Sequence, residues 1–313
     1  MGRIRIGISG WQYAGWRGVF YPKGLAQKRE LEFAANTFDT VEINGTFYSL
    51  QRPSSFARWF HQTPDNFVFS LKGSRYITHM RKLRDVRVPL ANFFASGLIG
   101  LGPKLGPILW QFPPQMKYGR ERFETFFKML PRSANAAAVL ARREASLPDA
   151  SEVRAKDDFH LRHCVEIRDE SFVSPEFIDL LREYDIGLVV ADTVEWPLLM
   201  DVTSDFVYCR LHGSEVLYAS GYDDEALDIW AQRVMTWAAG GQPQGRNAGA
   251  SAAEIFPRDV YVYFDNDSKV RAPFDAQALR SRVERLGSQT AGAPKRSCTM
   301  ASASSGVVTN PSS

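Results

Sequence analysis

The residues best suited to chemistry stand at the ends of short apolar runs. Glu42 and Asn44 close TVEING, Lys72 closes FVFSLKG, and Gln111 lies late in PILWQFP. Glu166 and Arg168 end RHCVEIR, Asp192 ends GLVVAD, Arg210 and His212 end FVYCRLHG, and Asp265, Asn266 and Asp267 end VYVYFDND. On an extended chain, residues two apart share a face. Glu42 therefore pairs with Asn44, Glu166 with Arg168, and Arg210 with His212. Lys72, Arg168 and Arg210 are suited to neutralising a phosphate or carboxylate. Glu42 and Glu166 could act as acid and base if their surroundings separate their pKa values. His212 has the best placement of the histidines for proton transfer, and Asp192 completes the candidate catalytic set. Asn44, Gln111 and Asn266 would orient a polar ligand. A sugar-isomerase-like alternative draws Glu166, Asp192, His212 and Asp265 around a divalent metal ion.

Each of these features has a plainer counterpart. Strands end in polar residues because loops begin there, and Asp265-Asn266-Asp267 is ordinary turn chemistry. Charges taken into a barrel mouth must be paired or they cost several kcal/mol each, so a purely structural network stands beside a catalytic one. Aromatic residues follow the first two runs: Trp11, Tyr13, Trp16, Phe20 and Tyr21, then Phe47 and Tyr48. Trp11, Tyr13 and Tyr48 could stack on a sugar or base. The competing reading is a small satellite core under two long loops. His79 falls in the loop after the third run, His61 on a helix, and His160 and His163 at the start of the fifth run.

The elements that must position these residues alternate between strand and helix. Strands are predicted at Ile4–Gly10, Thr40–Gly45, Phe67–Gly73, Pro107–Pro113, Arg162–Arg168, Gly187–Asp192, Phe206–Gly213 and Val260–Asp267. Helical spacing predicts helices over Lys28–Phe38, from Ser54 (as N-cap), over Val88–Ser96, over RERFETFFKML, over Pro175–Tyr184, over EALDIWAQRVMTWAA and over FDAQALRSRVERLG. TVEWPLLMDVTS is too short for a full helix. Such alternation predicts a parallel sheet, and eight units predict a closed (β/α)8 TIM-like barrel. A Gly-x-Gly-x-x-Gly after the first strand and a P-loop are both missing, which argues against an open dinucleotide-binding sheet. The barrel is expected over 1–287 as one domain. Excursions are expected near 142–159 and 240–253, the latter mobile, and a disordered tail over 288–313.

Composition narrows the class. The chain has 313 residues, is 44% hydrophobic and 23% charged, and carries a net charge of +3. That balance neither requires nor excludes an anionic partner. Three cysteines without close spacing form neither a disulfide framework nor a zinc site. The N-terminus has no signal-peptide run, and no stretch approaches the roughly 18 apolar residues of a membrane span. A cytoplasmic protein, not membrane-bound, is expected.

The motifs GISGWQYAGWRGVFYP, VEINGTFYSL, FSLKG with the later His79, QFPP, VEIR, RLHG and YVYFDND resemble those of the YecE-like family, known as domain of unknown function 72. The resemblance runs from residue 6 to about 280. It implies a TIM-like barrel and carries no established activity. Two places depart from the family pattern. After Glu166 and Arg168 this chain has Asp169 and Phe172 where relatives have a His and a Trp, while Ser171 matches the pattern. It has Asp265 where relatives have Asn.

The leading functional expectation is an enzyme acting on a small polar or anionic substrate, a hydrolase or an isomerase. The alternatives are a phosphodiesterase or nuclease acting on nucleic acid, and a ligand-binding module without chemistry.

Overall fold

The computed structural model describes residues 1–213 and 217–292. Eight parallel strands close into one barrel in sequence order. They are β1 (Ile4–Ser9), β2 (Thr40–Ile43), β3 (Val68–Lys72), β4 (Leu105–Gln111), β5 (His163–Glu166), β6 (Ile186–Asp192), β7 (Phe206–Leu211) and β8 (Asp259–Phe264). β8 returns to β1 in the register Ile4↔Val260 through Ile8↔Phe264. The predicted barrel is present, and all eight predicted strands take part in it.

Period-two alternation divides each strand between two cores. Ile8, Val41, Phe69, Val165, Val190, Cys209 and Val262 face outward into the large core beneath the helices. Val68, Leu109, Cys164, Ala191, Tyr208, Tyr261 and Tyr263 fill the barrel interior. That interior is partly polar. The Tyr263 hydroxyl lies 2.6 Å from Thr40 Oγ1 and 2.7 Å from Ser70 Oγ, so its buried oxygen is satisfied by strands on the far side. At the N-terminal end of the barrel, Arg162 donates to Asp205 at 2.7 Å and to Asp259 at 2.8 Å. Its guanidinium also lies over the Phe206 ring.

The helices are α1 (Glu30–Thr37), α2 (Gly45–Tyr48), α3 (Pro53–His61), α4 (Arg87–Ala95), α5 (Arg120–Met129), α6 (Ala134–Glu144), α7 (Pro175–Glu183), α8 (Asp224–Ala238) and α9 (Ala272–Gly292). Four expectations need correction. α3 begins at Pro53, and no side chain caps it, so Ser54 lies inside the helix. The excursion expected from 142 begins inside α6, whose Ser133 cap accepts from Ala136 N. This helix is built on alanine, the strongest helix former, and so shows little large-residue periodicity. The glycine-rich segment 240–253 is anchored rather than loose. Asp201 accepts from the backbone N–H groups of Ala248 and Gly249 at 2.7 and 2.8 Å, and Met200 N donates to Arg246 O at 2.9 Å. It therefore packs on 193–205, where no helix follows β6. α9 continues past the boundary expected at 287, to Gly292, and the remaining expected tail, 293–313, lies outside the described residues.

No helix among the described residues is long and apolar enough to cross a membrane.

Candidate functional site

Interior-facing residues at the C-terminal ends of the strands meet around one guanidinium. Arg210, on β7, is fully buried. Its Nη1 donates to Glu166 Oε2 at 2.5 Å. Its Nη2 donates to Asp265 Oδ2 at 2.6 Å and to Glu42 Oε1 at 3.1 Å. Glu42 is closed on its other sides by Ser9 Oγ and by the Tyr208 hydroxyl, the latter at 2.6 Å. Glu166 also accepts from Gln111 Nε2 at 2.7 Å and from Arg168 Nε and Nη2 at 2.9 and 2.7 Å. Asn44 extends the edge of the cluster by donating to Ser9 Oγ at 3.0 Å.

This pairing decides the ionisation. Burial alone would raise both carboxyl groups, Glu166 and Asp265, but Arg210 outweighs it and holds both well below the usual carboxylate range. Arg168 adds to the effect on Glu166. His212 Nδ1 lies 3.2 Å from Asp265 Oδ2 and its Nε2 lies 3.6 Å from Glu166 Oε2, without an aligned hydrogen bond to either. Its ring sits between Trp196 and Tyr218. Arg168 stacks on Trp196 at 4.1 Å from the ring centre.

Lys72 differs from the two arginines. It is 8% exposed; its carbonyl accepts from Thr46 Oγ1 at 2.7 Å, but among the described residues its Nζ has neither a hydrogen-bond nor an ion-pair partner. Its Nζ lies over the Phe47 ring at 5.0 Å. Burial, and next the charge of Arg210, lower the pKa of its ammonium. His79 packs its ring edge-on to the same Phe47. Burial and then the charges of Arg168, Lys72 and Arg75 lower its pKa to about 4, so its imidazole is neutral at physiological pH. Asp267 moves the other way: burial, then the neighbouring Asp265 carboxylate, raise it to about 6.

Glu42, Asn44, Lys72, Gln111, Glu166, Arg168, Arg210 and His212 thus gather at the mouth as the sequence suggests. Two candidates do not. Asp192 has the same parity as the outward-facing Val190, and it accepts from Trp230 Nε1 on α8 at 2.9 Å. Asn266 has the parity of Phe264. It is buried and donates to Asp275 at 2.8 Å and to Ser220 O at 2.9 Å, so it braces the chain after β8. Asp265, more readily read as turn chemistry, is instead a full member of the cluster. Ser9 and Tyr208 are members that the sequence reading missed. Strand parity was the available signal, since Ser9, Tyr208 and Asp265 all fall on inward positions.

The divalent-metal arrangement does not fit. Asp192 faces α8, and the Arg210 guanidinium bonds both Glu166 and Asp265. Among the described residues no three His, Cys, Asp or Glu side chains are grouped to hold a metal ion.

The aromatic residues divide. Trp16, Phe20 and Tyr21 form a satellite core with Phe33 and Phe38. Trp11 is buried against Trp59. Tyr13 donates its hydroxyl to Ser9 O at 2.6 Å, and Tyr48 is 65% exposed. The strand-five departures lie off the cluster. Phe172 is buried among Phe112, Phe123 and Phe177, and Asp169 pairs with Lys117.

A DUF72 family protein from Thermotoga maritima superposes with a TM-score of 0.67 at 24% identity, covering 90% of this chain and 99% of that one. One from Enterococcus faecalis gives 0.64 at 18% identity, covering 90% and 95%. In sequence, the chain is 31% identical over 144 residues to the UPF0759 protein YecE of Escherichia coli strain K12, which is 40% of this chain and 50% of that protein. It is 28% identical over 116 residues to the UPF0759 protein YunF of Bacillus subtilis, 36% of this chain and 40% of that protein. The chain spans half or less of the length of the curated relatives it matches. The model for the protein of unknown function DUF72 matches residues 5–298, nearly the whole barrel and its closing helix, and the chain belongs to that family.

Proposed function

We propose that the barrel mouth is an enzyme active site for a small polar substrate that carries an anionic group, either phosphate or carboxylate. The observation behind this reading is Lys72. Its ammonium is largely withdrawn from water, keeps only partial solvent contact and has no protein partner, so an anionic ligand would supply the missing counter-charge. The neighbouring cations, Arg168 and Arg210, are already matched by Glu166, Glu42 and Asp265. Lys72 is the one left to a ligand among these three.

In this reading Glu42, Glu166 and Asp265 are positioning residues that fix Arg210 and Arg168. Proton transfer falls to His79 and Asp267. His79 is neutral because it sits among cations. An anion bound there would raise its pKa and make it an acid in the complex, so proton uptake would be coupled to binding. Asp267 would titrate near neutral pH. Hydrolysis and isomerisation both need such an acid and base.

The test is a thermal-shift and turnover screen of phosphorylated and carboxylated metabolites against the wild type and Lys72→Met. A ligand at about 100 times its Kd adds about 2.7 kcal/mol of stability. We expect at least one anion to raise the wild-type Tm and to be converted, and Lys72→Met to lose both effects. A wild type that no anion stabilises, or an unchanged response in Lys72→Met, overturns the proposal.

A further inference from the structure

A cavity of about 360 Å³ opens between the loops that follow β1 and β2, beside the charged cluster. Its walls include Trp11, Tyr13, Tyr48 and Trp59, with the carboxamides of Gln12, Asn44 and Gln51 among them. No side chain lining it carries a charge. Asn44 is common to both places: it lines the cavity, and it donates to Ser9 Oγ, which in turn bonds Glu42.

We propose that this cavity is a subsite for a sugar ring. Three features support a sugar over a flat base. A base gains most between parallel rings, but Trp11 and Trp59 meet at 85°, leaving no slot. A sugar needs only one aromatic face for its C–H side, and Tyr48 lines the cavity at 65% exposure, with Arg75 over its ring at 5.5 Å on one face only. Sugar hydroxyls both donate and accept, and carboxamides match both roles. Gln51 directs its Nε2 to the carbonyls of Gly45 and Ser49, which leaves its oxygen as an acceptor. Phe47 packs against Tyr48 at the cavity wall and lies under Lys72 Nζ. A ring in the cavity therefore sits one aromatic side chain away from the unpartnered ammonium. The substrate class that follows is an anionic sugar, a sugar phosphate or sugar acid. This rests on the reading of Lys72 as the anion partner.

The experiment is calorimetric titration of the full chain with aldohexoses, ketohexoses and pentoses, their monophosphates, hexuronic acids and inorganic phosphate. The proteins are the wild type, Tyr48→Ala, Gln12→Ala and Lys72→Met. Tyr48 and Gln12 are exposed, so their variants should fold as the wild type does, which circular dichroism checks. We expect a sugar phosphate or sugar acid to bind the wild type more tightly than inorganic phosphate does. Tyr48→Ala should weaken it about tenfold or more, and inorganic phosphate should bind both proteins equally. Phosphates and acids in separate arms identify the anionic group. Suppose inorganic phosphate binds and needs Lys72, yet no sugar binds more tightly. Then the subsite is rejected while the anion site stands. Suppose neutral sugars bind through Tyr48 and Lys72→Met changes nothing. Then the cavity takes sugars, the anionic-sugar assignment is overturned, and so is the role of Lys72. Failure of every sugar to bind at about 10 mM, a range that detects even millimolar affinity, overturns the subsite outright.

Discussion

Arg210 Nη2 donates to Asp265 Oδ2 at 2.6 Å, which ties the chain leaving β8 to the end of β7. The same guanidinium serves Glu42 and Glu166. One buried cation thus holds three carboxylates from three strand ends, and the charge balance of the mouth depends on it.

Replacing that cation should reverse a pH dependence. In the wild type, Glu166 and Asp265 have depressed pKa values in the folded state. Their contribution to stability is present above the ordinary carboxylate values of about 4 and is lost as pH falls through the folded values. In Arg210→Met the largest charge opposing burial is gone, so burial pushes those pKa values up from where Arg210 held them, while Arg168 still faces Glu166 and Lys72 still faces Asp265. The variant should lose about 3–5 kcal/mol at pH 7, and the deficit should shrink towards pH 4. Urea unfolding at both pH values measures this, and a deficit independent of pH would reject the account.

Glu166→Gln and Asp192→Asn should differ although both remove one carboxylate. Glu166→Gln leaves Arg168 and Arg210 short of a counter-charge and should cost about 3–5 kcal/mol. Asn at 192 keeps an oxygen for Trp230 Nε1 and should cost within about 1 kcal/mol. If a ligand is found, Asp192→Asn should bind it normally. A folded, stable Glu166→Gln with no activity would return Glu166 to the catalytic set.

Asp267→Asn should stabilise the protein more at pH 8 than at pH 5. The folded pKa of Asp267 is raised to about 6. Its favourable contribution is therefore full below the unfolded value of about 3.9 and is lost as pH rises through 6. Asn carries no charge beside Asp265 and escapes that loss. Thermal unfolding from pH 5 to 8 checks it: the Tm difference should widen with pH, and a flat difference would rule out the titration.

The barrel itself was legible because eight apolar runs with polar ends, alternating with helices, favour a closed parallel sheet over an open one, and most of the mouth followed from strand-end position. The errors came from treating the end of a strand as one place when it has two faces. Asp192 and Asn266 lie two residues beyond the outward Val190 and Phe264, Asp265 lies two beyond the inward Tyr263, and Ser9 and Tyr208 adjoin the outward Ile8 and Cys209. Which cation lacks a partner was not legible. Lys72, Arg168 and Arg210 look equivalent in sequence, and only packing shows that Glu166 serves both arginines. Anchoring of the glycine-rich segment was also hidden, because Asp201 holds it through backbone N–H groups that carry no sequence signature.

That anchoring bears on the order in which the chain can fold. The segment 193–205 runs between β6 and β7 without a helix, and its cover arrives from 240–253, after β7 and α8. A ribosome-bound or truncated chain ending before residue 240 would have six or seven strands and an uncovered seam, with Asp201 buried in the native state but lacking its amide partners. Late contacts of this kind slow closure and leave an aggregation-prone intermediate. The β6–β7 side should therefore stay uncovered until 240–253 is in place, and the barrel closes only when β8 pairs with β1. Hydrogen exchange should find Ala248 and Gly249 among the last amides to gain protection during refolding.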